Sequence, residues 1–358
     1  MKRLTALGGF DAKGPACFLL EIDGARLLLD MGRGPDAGRR PDLDGIGPVD
    51  AVLISHCHAD HTGALDWLGR IGGPPVYATA PTRALSEIAA LRAARDLPLR
   101  GQIAGVEVET GPAGHAPGAV WMRVGGTSGL VYSGDYAEGL GLLPVGPLPP
   151  AEIAVLDCSY GVEKDDVHAQ TTALLAKAGT GPCLLPAPPA GRGLEIALAC
   201  LDRGLSVAIC DQIRGVAETL TGFPGWLAEG GAARLRRLLQ EARSLRPDGP
   251  LDGIMIAAGA NCGSGLSQEL GPRALAAGVP IIFTGHLSHG SPAASWVQDG
   301  RARRFRWNVH PDRATLGQLL TQTRARLVIP AFATPKARQD LPDAFPETRW
   351  ATDRSITW

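Results

Sequence analysis

At 358 residues the chain has room for two domains, or for one large domain with an insertion. Hydrophobic residues make up 45% of it, ample material for a core. A formal net charge of −1 leaves no global basic field, which argues against tight non-specific binding to nucleic acid while leaving a local basic groove open.

Seven cysteines (Cys17, Cys57, Cys158, Cys183, Cys200, Cys210 and Cys262) form no C-x-x-C pair, and several lie in apolar runs. They read as reduced, buried small hydrophobes of a cytoplasmic protein. The first residues lack the apolar core of a signal peptide. No apolar stretch is long enough to span a bilayer, so no membrane association is expected.

Taken in chain order, short apolar runs predict strands over 17–22, 25–30, 51–54, 119–124, 129–133 and 153–157, then 182–187, 205–210, 253–258, 279–284 and 326–331. Helical periodicity predicts helices over 81–95, 166–178, 191–203, 229–245, 265–277 and 313–325. This alternation argues an α/β fold with covered sheets. The first 160 residues are strand-dense, whereas 165–300 alternates strand and helix like a small open sheet of its own. The Gly/Pro-rich stretch 139–150 reads as a loop.

The densest chemistry is His56-Cys57-His58-Ala59-Asp60-His61, directly after the strand Ala51-Val52-Leu53-Ile54. Thr62 to Leu68 can open a helix. Residues two apart on an extended segment share a face, so His56 and His58 can reach one metal while Cys57 points away. Asp60 and His61 lie past the bend and can reach a second. Imidazole and carboxylate suit zinc or a similar ion, and an incomplete shell leaves room for a reactive water. Three further residues are weak alone. Asp30 ends the strand Leu27-Leu28-Leu29 and reads first as a turn residue. His115 sits in the turn Gly-His-Ala-Pro-Gly, where a solvated histidine is the ordinary reading. Asp135 follows Leu130-Val131-Tyr132-Ser133-Gly134 at a strand end and could bridge two metals.

Together these pieces resemble the metallo-β-lactamase superfamily: Asp30 in Leu-Asp-x-Gly, His56-x-His58-x-Asp60-His61, His115 in Gly-His-x-Pro-Gly and Asp135 in Ser-Gly-Asp. The resemblance implies an αββα sandwich. It implies that His56, His58 and His115 hold one metal, that Asp60 and His61 hold another, that Asp135 bridges, and that Asp30 orients the site. Later segments are similar to the β-CASP branch. Asp157 lies in Leu-Asp-Cys-Ser-Tyr-Gly, Pro186 to Glu195 matches a Pro…Gly-Arg-x-x-Glu segment, and His310 lies in Asn-Val-His-Pro-Asp. That match implies an α/β cap inserted into the sandwich, with core at 1–161 and 306–358 and cap at 162–305. It further implies a metal-dependent nuclease on DNA or RNA that uses a metal-activated hydroxide. Zinc is expected, one or two ions, with manganese or iron as alternatives. Asp60 is then expected at the reacting atoms, with Asp157 and His310 as a catalytic pair.

Two departures bear on this. The RNA nucleases of that branch usually carry a further histidine after the final core strand, as a ligand of the second metal, and Leu327 to Ala333 has none. The second metal is then weaker, differently ligated or absent. Within the family, aspartate rather than glutamate at 157 and an apolar residue at the missing-histidine position lean slightly towards the DNA-acting members. Arg192 at a helix start suits an anion or a helix surface equally. His286 and His289 line the cleft or sit in a solvated loop. Arg301 to Trp307 reads as a basic groove wall with stacking residues or as an amphipathic edge strand. Two other readings stay open: a hydrolase of a small phosphodiester, ester or lactam, and a non-catalytic member that binds nucleic acid or protein.

Overall fold

Period-two alternation decides the layers of the first unit. Cys17 and Leu19 point into one core, while Phe18 between them meets Tyr132 of a different sheet, ring centroids 5.5 Å apart. In the computed structural model, which describes residues 1–36 and 38–358, the chain forms two units. One comprises Met1–Glu138, Pro144–Lys164 and His310–Trp358; the other comprises Gly139–Leu143 and Asp165–Val309.

The strands run in chain order as follows. The first unit opens with β1 (Arg3–Gly8), β2 (Cys17–Ile22), β3 (Ala25–Leu29), β4 (Ala51–Leu53), β5 (Val76–Ala78) and β6 (Arg95–Asp96). It continues with β7 (Arg100–Ile103), β8 (Val106–Pro112), β9 (Val120–Val124), β10 (Leu130–Tyr132) and β11 (Ile153–Asp157). The second unit holds β12 (Cys183–Ala187), β13 (Val207–Ile209), β14 (Arg243–Ser244), β15 (Ile254–Ala258), β16 (Ile282–Phe283) and β17 (Arg303–Arg304). The chain then returns to the first unit for β18 (Leu327–Ala331) and β19 (Ser355–Thr357).

Two sheets make the sandwich, in the orders β19-β1-β2-β3-β4-β5-β6 and β18-β11-β10-β9-β8-β7. Their inner faces meet through Phe18, Tyr132 and Phe332. Each outer face is covered by helical segments. Leu28, Val52 and Ile54 pack with Leu65, Ile71 and Leu91 on one side. Val131, Ala154, Leu156 and Val328 pack with Leu316, Leu319 and Leu341 on the other. The architecture is therefore αββα, as expected. The second unit is a separate α/β layer built on a parallel sheet, β12-β15-β13-β14.

Several elements differ from the sequence reading. The single helix expected over 81–95 is two short turns, Ala80–Ala84 and Ala89–Arg92, followed by β6. The Ser86 hydroxyl accepts the Ile88 N–H at 3.0 Å, offering the backbone a local alternative to the helix. Thr62 to Leu68 is likewise split into a turn, Ala59–Thr62, and a 3₁₀ stretch, Leu65–Ile71. The strand over 279–284 shrinks to β16. Helices Asp211–Thr221 and Pro335–Ala344 were not expected. All seven cysteines are free, and all but Cys57 are buried. Among the described residues no helix is long and apolar enough to cross a membrane.

The loop after β3 runs directly beneath the His56–His61 turn. Met31 and Arg33 N–H donate to the His61 and Ala59 carbonyls, each at 2.9 Å, and Ala16 N–H donates to the Asp60 carbonyl at 2.8 Å. Gly32 lies so close that a Cβ there would sit 1.7 Å from the Asp60 carbonyl oxygen. Gly32→Ala is therefore expected to cost about 3 kcal/mol or more, since neither backbone segment can yield. A thermal unfolding midpoint equal to that of wild type would refute this account of the loop.

Candidate metal centre

In open α/β sheets the carboxyl ends of parallel strands are the usual places for ligands. Here β3 and β4 run parallel in one sheet, as do β10, β11 and β18 in the other. Asp30 and Ser55-His56 follow the first pair, Ser133 to Asp135 follow β10, Asp157 ends β11 and Phe332 follows β18.

Asp30 is fully buried in left-handed backbone, φ 59°, which aspartate tolerates better than most residues. Its Oδ1 accepts the Ser55 N–H at 2.7 Å. Its Oδ2 accepts the Ser55 hydroxyl at 2.7 Å and the Tyr132 hydroxyl at 2.6 Å. His61 Nδ1 lies 2.7 Å from the same Oδ2, so it carries a proton and donates. Burial and the Asp30 charge push the Tyr132 phenol well above its ordinary value, which keeps it a donor.

His61 Nε2 faces Asp135 Oδ1 at 3.2 Å. Burial opposes charge on His61, but Asp135 and Asp30 on its two nitrogens hold its pKa well above the ordinary range. His56 is pushed the other way. Burial, and then the neighbouring imidazoles of His61, His58, His115 and His310, hold it well below, so it is a neutral ring with a lone pair to give.

His56 Nε2 and His115 Nε2 lie 3.1 and 3.0 Å from His58 Nδ1. Asp135 Oδ2 is 3.3 Å from His115 Nε2 and 3.9 Å from His56 Nε2. Two imidazole nitrogens bound to one tetrahedral zinc at ~2.0–2.1 Å are held about 3.3 Å apart, so this spacing suits a shared ion. The donor chemistry fits as well, being three imidazoles and a carboxylate, nearly all buried. Three overlapping donor groups result: His56, His58 and His115; His56, His61 and Asp135; His115, Asp135 and His310.

Asp60 belongs to none of these groups. Burial would raise its carboxyl, but the charges of His61, Lys13 and His58 outweigh that and hold it below the ordinary value. Across the site, His310 Nδ1 lies 2.8 Å from Asp157 Oδ2 and 3.7 Å from Asp135 Oδ2. Asp157 also accepts the Tyr136 N–H and both Ser159 donors. Burial opposes its charge, yet His310 and Ser159 hold it below its ordinary value, so it is a carboxylate and His310 Nδ1 is the protonated nitrogen.

The other sequence candidates lie in the second unit. Arg192 opens helix Arg192–Leu201 with its guanidinium against Gly285. Glu195, from the same segment, is buried and accepts the Leu140 N–H at 3.2 Å. His286 and His289 are exposed on the loop after β16. In the basic cluster Arg303 and Arg304 are exposed while Trp307 is fully buried, so that ring is core and not a stacking platform.

Sequence reasoning missed Ser55, Tyr132, Ser159 and Lys13. Strand parity could have found Tyr132, which points inward beside Asp30. No spacing signal relates Lys13 to the site. Tyr132→Phe leaves one Asp30 acceptor position unfilled and is expected to cost about 1.5–3 kcal/mol in urea unfolding, the range for bonds to charged groups. Asp30→Asn should weaken zinc affinity about 10–100-fold, as loss of an orienting partner does. Unchanged zinc affinity would remove Asp30 from the orientation of His61.

A model of the metallo-β-lactamase superfamily matches residues 11–154. The chain is 30% identical over 246 residues to the transcription termination factor FttA of Cenarchaeum symbiosum, covering 54% of this chain and 38% of that protein. It is 27% identical over 333 residues to ribonuclease TTHA0252 of Thermus thermophilus, covering 80% and 76%. It is also 28% identical to cleavage and polyadenylation specificity factor subunit 2 of Oryza sativa, covering 55% and 33%. The matched region thus spans about two fifths of the termination factors' length. A crystal structure of a protein of unknown function from Enterococcus faecalis shares the fold, with TM-score 0.58 at 13% identity over 100% of this chain and 99% of that one. With its motifs in order along the strand ends of an αββα sandwich, residues 11–154 form a domain of the metallo-β-lactamase superfamily, and the relatives to which the chain is similar are β-CASP proteins.

Proposed function

We propose that the chain is a metal-dependent phosphodiesterase that cleaves RNA in the cytoplasm. The observation that carries this reading is a His310–Asp157 pair set against the His56, His58, His115 and Asp135 donors. Ester or lactam hydrolysis has no evident use for such a pair. RNA is favoured over DNA because a relative aligned over 80% of the chain is named a ribonuclease. Residues 162–305 are read as the inserted cap of this branch. Free, mostly buried thiols fit a reducing compartment.

His56, His58, His115 and Asp135 would hold the ion, zinc on this donor set. When bound, the ion supplies Lewis-acid chemistry: it makes water nucleophilic near neutral pH and draws charge from phosphoryl oxygens. The protein's own work lies around that point. Asp30 fixes the tautomer of His61, and His61 in turn fixes Asp135 through Oδ1. Asp157 fixes the proton on His310 Nδ1, which leaves Nε2 as the acceptor that faces Lys13 Nζ at 3.1 Å. There Nε2 and the Lys13 ammonium beside it would together relay the proton that the departing oxygen needs.

His310→Ala should keep the wild-type metal content and lose about 10²–10⁴-fold in turnover, the usual worth of a positioned acid. Asp135→Ala should lose metal as well as turnover. The test is cleavage of end-labelled single-stranded RNA and DNA by metal-analysed protein, with Asp135→Ala as control. RNA cleavage lost in the control supports the reading. Preferential DNA cleavage would overturn the substrate choice. Metal-replete protein that binds RNA without cutting it would make the chain a non-catalytic member.

A further inference from the structure

We propose that the centre holds a single metal ion and that Lys13 supplies the second positive charge, placed to bind an oxygen anion of the substrate. Three observations on one small region carry this. First, Asp60, expected to ligate a second ion, belongs to none of the donor groups among the described residues, and each group beyond His56, His58 and His115 adds one new imidazole, His61 or His310, to donors the first ion already uses. Second, the position after β18 is filled by Phe332, whose ring packs edge-on against His61 at 5.4 Å and against Phe18 at 6.1 Å. Hydrocarbon therefore stands where a further donor would be needed. Third, Lys13 Nζ lies 3.1 Å from His310 Nε2.

The backbone ties these features together. Phe332 N–H donates to the Gly9 carbonyl at 2.7 Å, and Ala16 N–H donates to the Asp60 carbonyl at 2.8 Å. The loop Gly9 to Ala16 is thus fastened at one end to the backbone of Phe332 and at the other to the backbone carbonyl of Asp60. Arg338 clamps its middle, donating to the Phe10 carbonyl at 2.5 Å and stacking over the Phe10 ring at 3.7 Å. Gly14 lets the loop pass close to Asp60, since a Cβ there would lie 3.1 Å from the Asp60 Cβ. Lys13 is only partly buried, so its head can leave His310 for an anion that enters beside it. An ammonium held beside an imidazole supplies positive charge locally, without needing a coordination shell.

The assignment of that anion as a phosphoryl oxygen rests on the phosphodiesterase reading; the metal count does not. The experiment takes the full chain, loads it with zinc, and measures bound zinc by elemental analysis and calorimetric titration. Wild type and Lys13→Met should each bind a single zinc ion. Inorganic phosphate, as the anion probe, should bind the zinc-loaded Lys13→Met protein about tenfold or more weakly than wild type, the loss expected for a bond between charged groups. Lys13→Arg should restore most of that affinity, which a merely structural loop residue would not require. On RNA, Lys13→Met should lose about 10²–10³-fold in turnover at unchanged metal content. Two zinc ions of comparable affinity on wild type would overturn the proposal, as would phosphate affinity indifferent to Lys13→Met. If phosphate binding falls as expected but wild type cuts no nucleic acid, only the phosphodiesterase reading is lost.

Discussion

The buried Asp30 carboxylate is the contact on which the first unit turns. It accepts from Ser55 twice, from Tyr132 and from His61, and so joins the ends of β3, β4 and β10 at one point between the sheets. A buried carboxylate without partners is very costly, so these bonds form together or the site does not form. The left-handed backbone at Asp30 aims the side chain, and its N–H continues the β3–β4 ladder to the Leu53 carbonyl at 2.9 Å. Closure of the sandwich at this end and orientation of His61 are therefore the same interaction.

Environment then gives similar side chains opposite characters. His56 and His61 are five residues apart and equally buried, yet one is surrounded by imidazoles and the other flanked by two carboxylates. The first is a neutral ring with a lone pair to offer. The second acts as a strut between Asp30 and Asp135. Asp157 and Asp60 differ in the same way. Asp157 has every near partner supplied by the protein, including Ser159 and Tyr136, and serves His310. Asp60 is balanced chiefly by charges around it, Lys13 among them.

Much of this was legible in the sequence because it is local. The parity of His56 and His58 and the bend before His61 follow from a strand that ends at Leu53. The layers follow from alternation in strands such as β2 and β11. Asp30 was legible only as one member of an ordered set, since alone it looks like a turn residue. The helix expected over 81–95 was misread because its apolar spacing conceals a hydroxyl at Ser86 that competes for the backbone. Lys13 was not legible at all. It meets His310 across 297 positions of sequence, and no local pattern encodes that meeting. Phe332 was visible as a missing histidine, but its consequence appears only where its N–H holds the Lys13 loop.

A chain of net charge −1 cannot gather a polyanion by a broad field. On the proposed function, attraction must then come from charge concentrated at the reacting phosphate. Within the described part of the first unit, that means the ion on His56, His58 and His115, with Lys13 beside His310. Such a design draws little on release of counterions along the strand, which governs the salt dependence of binding proteins with extended basic surfaces. It draws instead on a few charges in a partly dry site, where each is worth more than it would be in water. The same low dielectric makes the carboxylates Asp30, Asp135 and Asp157 expensive to bury, so the groups that attract substrate also offset the acids that build the site. On that reading metal uptake and folding would be coupled, because a bound ion would relieve the crowding of imidazoles and carboxylates that the sandwich brings together.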